Sequence, residues 1–199
     1  MTRTIDFYFD FPSPYAYLAH TQLPRIAADH GATIAYHPFR ILELMKIVGN
    51  RPTTIECKNK NVYAGADLQR WTKRYKVDFA RNPNSKSFDF AELDRAALVA
   101  IGDGRGAEHV TAISTATWGR PADLSQRPVL LDVLAKAGLD GARLLERASG
   151  ADVVAKLEAA TTAVAERGVF GAPTIFVGDQ MFFGNDRLDF VAEALRSAA

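Results

Sequence analysis

The chain reads as β-type at both ends and helical between them, and that order limits its possible folds more than any other feature. Near the N-terminus, TIDFYFDF puts Ile5, Phe7 and Phe9 on one side of an extended run and Tyr8 on the other, which predicts a strand over about residues 3 to 10. A helix is expected from about Pro14 to Asp29, closed at His30-Gly31, and ATIAYHPF (Ala32 to Phe39) reads as a second strand. From about Leu42 to Gly168 the apolar positions fall three or four apart, as in VYAGADLQRWTKRY, FAELDRAALVAI and ADVVAKLEAATTAVAERG. After Gly168, GAPTIFV and QMFFG are short β-rich runs joined by Gly178-Asp179, a two-residue hairpin signal, and DRLDFVAEALRS closes the chain as a helix.

The resulting order is β-α-β, a helical block, then β-β-α. It predicts an α/β thioredoxin fold carrying a large all-helical insertion, with a discontinuous thioredoxin-like domain at 1–40 and 168–199 and an inserted helical domain at 41–167. No repeat, low-complexity tract or Gly/Ser linker marks a further unit. With 24 basic against 23 acidic residues, no net field draws the chain to nucleic acid or to an anionic membrane. A strand starts almost at once, without an apolar signal segment, so export is not expected. Cys57 is the single cysteine, which rules out an internal disulfide and any C-x-x-C pair and points to a reducing, cytoplasmic compartment.

Such a fold brings three short stretches together. In the first, Ser13 and Pro14 stand at the strand-to-helix junction, where Ser is a favoured N-cap and Pro at the first helical position loses no hydrogen bond. In the second, Pro173 opens a strand. A cis proline at this place in a thioredoxin fold exposes the backbone of the residue before it, here Ala172, to pair with a peptide-like thiol ligand. In the third, Asn185 and Asp186 precede the last helix. Either is a good N-cap, and the same helix end could bind a ligand carboxylate through its N–H groups while Asp186 meets an ammonium. An amino-acid head group carries both charges on one carbon, so the pair fits the γ-glutamyl end of glutathione.

Other residue types point nowhere in particular. His20, His30, His37 and His109 lack the paired spacing of metal ligands and read as surface or core histidines. Cys57 has neither a resolving cysteine nor an evident base near it in sequence. GDGRG, Gly102 to Gly106, does not follow a strand and reads as a turn between helices. Tyr63, Trp71 and Tyr75 lie mainly at helical spacing and read as core or pocket wall.

FDFPSPYAYLA, GNRP, GAPTIFV and FGNDRLDF, in this order over nearly the whole chain, resemble the 2-hydroxychromene-2-carboxylate isomerases of bacterial aromatic (naphthalene-type) degradation. Those enzymes are close relatives of the kappa-class glutathione transferases. The resemblance implies glutathione as a cosubstrate returned unchanged, a small aromatic carboxylate as substrate and a homodimer. Its thiolate would add to the unsaturated substrate, let a double bond rotate, and leave with formation of trans-o-hydroxybenzylidenepyruvate. Ser13 matches the serine that replaces the first redox cysteine of the disulfide oxidoreductases, and would hold the glutathione sulfur as thiolate. Asn50 and Lys60 match positions that contact glutathione from the insertion, although a helix-surface lysine is more often simply solvated. Pro12 and the stretch RNPNSKSFDF, Arg81 to Phe90, depart from the family pattern, which leaves the second substrate open. Two other readings remain: a kappa-like transferase on the same site, and a thioredoxin-fold binding protein in which Ser13 and Asn185 only cap helices.

Overall fold

The computed structural model describes residues 3–197. Strand β1 (Arg3–Phe9) leads through a tight turn into helix α1 (Pro14–Asp29), and β2 (Ala32–Pro38) returns parallel to β1. Helices then follow without a strand: α2 (Ile41–Ile47), α3 (Thr53–Glu56), α4 (Lys58–Tyr75), α5 (Phe90–Gly102), α6 (Gly106–Ser114), α7 (Arg127–Lys136), α8 (Gly141–Ala148) and α9 (Ala151–Glu166). Strands β3 (Thr174–Val177) and β4 (Gln180–Phe183) and helix α10 (Leu188–Ser197) close the fold. The sheet order is β2-β1-β3-β4, with β3 antiparallel to both of its neighbours. This is the thioredoxin topology expected from the sequence, with the helices running between β2 and β3. Residues 1, 2, 198 and 199 of the expected terminal segments lie outside the described residues.

The period-two reading of β1 holds: Ile5, Phe7 and Phe9 are buried on one face, while Tyr8 packs on the other with Phe39, Leu44, Val164 and Phe176. The strand ends one residue earlier than expected. Asp10 leaves the ladder to form a turn, its C=O accepting the N–H of Ser13 at 3.1 Å and its Oδ2 accepting the N–H of Ile41 at 2.7 Å. The expected second strand is also one residue shorter, although the Phe39 N–H still donates to the Phe9 C=O. Ile5 and Phe7 of β1 share one contiguous core with Leu23 of α1, Val99 of α5, Ile113 of α6, Leu134 of α7 and Leu195 of α10. The strand-bearing ends and the helices between them are therefore packed as one apolar body.

The opposite face of β1 is only partly apolar. Arg167, just past α9, donates to Asp6 at 3.1 Å and to the Tyr8 hydroxyl at 2.5 Å, and lies over the Phe176 ring. His37 meets the other Asp6 oxygen and stacks on Tyr8. These contacts satisfy the polar groups that the alternating strand leaves on this side.

Candidate functional site

The turn after β1 puts Ser13 at the N-cap of α1 with an extended backbone, φ −89° and ψ 110°. Its Oγ accepts the N–H of Ala16 at 3.2 Å, and its O–H donates to the C=O of Ala172 at 3.2 Å. Ser13 is thus a helix cap and also a direct contact of the loop that enters β3. Pro14 occupies the first helical turn.

That loop is fixed from several sides. The Ala172-Pro173 peptide is cis, as the fold led us to expect. The Pro173 C=O accepts the N–H of Gly184 at 2.9 Å, and the Thr174 hydroxyl donates to Gly171 C=O at 2.8 Å. A Cβ on Gly171 would stand 2.8 Å from Cε2 of Phe183, so a side chain there would require the ring to move. Phe170 and Phe183 lie ring against ring, centroids 4.6 Å apart, on the two sides of the hairpin.

Beyond β4, Gly184 takes the left-handed region at φ 98° and the chain makes a short 3₁₀ turn, Asn185–Arg187, before α10. The turn packs against α1, and the Asp186 charge is near enough to Tyr15 and Tyr75 to help raise their hydroxyl pKa values, behind the larger effect of burial. Asn185 and Asp186 are not placed as the simple capping reading would have them. The Asn185 side chain is buried, its Nδ2 has no hydrogen-bond acceptor among the described residues, and its backbone C=O accepts the Tyr75 hydroxyl at 2.5 Å. The Asp186 carboxylate is exposed and pairs with Arg187. Any contact between Asn185 and a ligand therefore falls to its backbone, while Asp186 can offer its carboxylate.

Asn50 reaches the segment before the cis proline from the other side. Its Nδ2 donates to the C=O of Phe170 at 2.8 Å and its Oδ1 accepts the N–H of Arg51, so it clasps the segment leading to Ala172. Lys60 is exposed in the first turn of α4, with Nζ donating to the Thr53 hydroxyl at 3.1 Å. Among the described residues no direct contact joins it to Ser13, Ala172 or Asp186.

Sequence reasoning missed three groups near the site. The Tyr15 hydroxyl, in the first turn of α1, donates to Asp67 Oδ2 of α4 at 3.2 Å; burial and then the Asp67 charge push its pKa far up, so it stays a neutral donor. Asp67 stands seven residues after Lys60 and four after Tyr63, so the helical spacing of α4 carried a signal for it. Asp10 is the third: it is fully buried below Ser13, beside Asp94 of α5, and only the fold brings those two together. Trp71 and Tyr75 pack as wall beside Tyr17 and Leu68, whereas Tyr63 is largely exposed. GDGRG is a turn between α5 and α6, its Asp103 held by Arg143 and Arg147. Cys57 is exposed and free. Among the described residues no group of three His, Cys, Asp or Glu is placed to hold a metal ion, and no helix is long and apolar enough to cross a membrane.

Comparison with known proteins supplies independent findings. Residues 4–196 match the model of the DSBA-like thioredoxin domain. The chain is 39% identical over 196 residues to a 2-hydroxychromene-2-carboxylate isomerase of Sphingobium xenophagum, covering 98% of this chain and 99% of that protein. It is 27% identical to glutathione S-transferase kappa 1 of Homo sapiens, covering 98% and 92%. A solved structure of a 2-hydroxychromene-2-carboxylate isomerase superposes with a TM-score of 0.88 at 31% identity, covering 98% of this chain and 95% of that one.

Proposed function

The chain belongs to the 2-hydroxychromene-2-carboxylate isomerases within the DSBA-like thioredoxin family, and from that premise we propose a glutathione-dependent isomerase interconverting 2-hydroxychromene-2-carboxylate and trans-o-hydroxybenzylidenepyruvate. One observation carries the glutathione site: the Ser13 hydroxyl, at the positive end of α1, lies 3.2 Å from the carbonyl of Ala172, which precedes the cis proline. Hydroxyl donor, helix N-terminus and an accessible peptide converge on one point, and that is what a cysteinyl thiol with a backbone on either side requires.

The donor set fits the tripeptide at its other end as well. Asp186 supplies a carboxylate for an ammonium, and Asn185 supplies backbone polarity beside it. Asn50 stands at the opposite rim, tied to Phe170, where it can present its amide to the glycine end, with Lys60 as a cation farther out on α4. Glutathione, when bound, supplies a thiolate that adds reversibly to the conjugated substrate, turns a double bond into a rotatable single bond, and departs unchanged. The protein's part is to hold and orient. The Ser13 O–H turns from Ala172 to the sulfur, the N-terminus of α1 favours its negative charge, and the Ala172 backbone fixes the cysteinyl unit. Homodimerisation and a cytoplasmic setting belong to the same reading; the free, exposed Cys57 suits a reducing compartment.

The test is a thiol balance. With 2-hydroxychromene-2-carboxylate and catalytic glutathione, trans-o-hydroxybenzylidenepyruvate should accumulate while total free thiol stays constant. Stoichiometric loss of thiol to an aryl halide, with no isomerisation, would instead make the chain a kappa-like transferase.

A further inference from the structure

We propose that Asp10 and Asp94 hold one proton between them at neutral pH, and that this proton fixes the turn carrying Ser13, which makes the two carboxyls positioning residues for the thiol site. The inference rests on the reading of the Ser13 turn as that site. Asp10 is 1% exposed and Asp94 is fully buried, and they come from elements far apart in sequence, the β1–α1 turn and α5. Neither oxygen of Asp94 receives a hydrogen bond from a protein donor among the described residues, nor does Oδ1 of Asp10. The cations near them are few. Arg40, just before α2, has its Nε 3.9 Å from Asp94 Oδ2 and 3.8 Å from Glu43 of α2, so its charge is shared, and Arg95 of α5 is the other cation facing the pair. Two ionised carboxylates in that space would leave a net negative charge in the core, whereas one proton between them gives each a partner.

Burial is the main cause that pushes Asp10 up to about 6, against the pull of the Ile41 N–H, Asp94 and Arg40; Glu43 adds to the rise. Burial and then the Asp10 charge push Asp94 well above its ordinary value. At neutral pH Asp10 is therefore the ionised member and Asp94 the donor.

The link to the site runs through Asp10. Its carboxylate receives the Ile41 N–H at the start of α2, and its C=O receives the Ser13 N–H. Helix α2 leads on to Asn50, which clasps Phe170 beside the cis-proline loop. Both segments thus hang on one residue, the Ser13 turn through the Asp10 carbonyl and the start of α2 through its carboxylate. Protonating Asp10 weakens its grip on Ile41 and removes the charge that faces Arg40.

Carboxyl-carbon NMR of aspartate-labelled wild-type protein reads the pair without any ligand, and calorimetry with S-methylglutathione, whose sulfur cannot ionise, reads the groove. Asp10 should titrate near pH 6, and affinity should fall about fivefold or more as pH drops through that value. In Asp94→Ala the donor to Asp10 is gone, so Asp10 should titrate higher and the loss of affinity should set in at a correspondingly higher pH, whereas Asp94→Asn, which keeps a neutral donor, should leave both close to wild type. In Asp10→Asn the loss should vanish. Asp10 titrating near the ordinary aspartate value in wild type, or a pH dependence unchanged in Asp94→Ala, overturns the proposal. Protein that titrates as expected but binds neither S-methylglutathione nor glutathione overturns the thiol-site reading instead, while the shared proton stands.

Discussion

The Ser13 hydroxyl works in two directions, accepting from Ala16 and donating to Ala172, and the two uses separate on substitution. Ser13→Ala should cost about 0.5–2 kcal/mol through the lost cap. It should also lower turnover about 10-fold to 1,000-fold, since the hydrogen bond to a thiolate is charge-assisted. The pH dependence of bound-glutathione thiolate absorbance, measured beside urea unfolding curves, distinguishes the roles: lower stability with an unmoved thiolate pKa would leave Ser13 as a cap alone. A second residue shows its character through pH. His109 is fully buried and neither ring nitrogen has a partner among the described residues, so burial pushes its pKa down to about 3. A depressed histidine contributes stability that is present above its unfolded value and lost as pH falls through the folded one. His109→Phe should therefore gain on wild type as pH drops from about 6.5 toward about 3. A difference in urea midpoint that stays constant over that range would contradict this. Asp10 acts with the opposite sign, its contribution being lost as pH rises through about 6, so the two trends partly cancel in the wild type.

At the scale of elements, the hairpin β3–β4 and its flanking turns carry the cis-proline loop and the Asn185–Arg187 turn. Gly171→Ala would push its Cβ against Phe183, and because that ring is half-exposed it can yield, for about 1 kcal/mol. The displaced ring should carry the Gly184–Asp186 turn with it, so glutathione affinity should fall several-fold while the fold survives; unchanged affinity by calorimetry would show that the two turns are not coupled. The boundaries of these elements were legible in the sequence because their signals are local. Ser13-Pro14 starts α1, Gly178-Asp179 joins the two strands, and alternation identifies β1. The contacts that shape the site were not legible, since each joins residues that only folding brings together: Asn50 to Phe170, Tyr75 to Asn185, Asp10 to Asp94. The direction of the Asn185 side chain was hidden for the same reason. A helix-start pattern cannot tell an outward amide from one turned into the core behind Tyr75.

Across the whole molecule, one continuous core runs from β1 through α5, α6, α7 and α8 to α10. Helices α2, α3 and α4 contribute no buried residue to it; α3 buries none at all, and α4 buries only Ala64, Leu68 and Thr72. This asymmetry divides the constraints on change over evolutionary time. Substitutions in the shared core must respect partners from every part of the chain. Ile55 and Val62 are exposed, so they can be exchanged at small cost in stability. Related chains would then diverge first along α3 and the exposed face of α4, leaving the packing that joins Ser13 to the cis-proline loop as common inheritance.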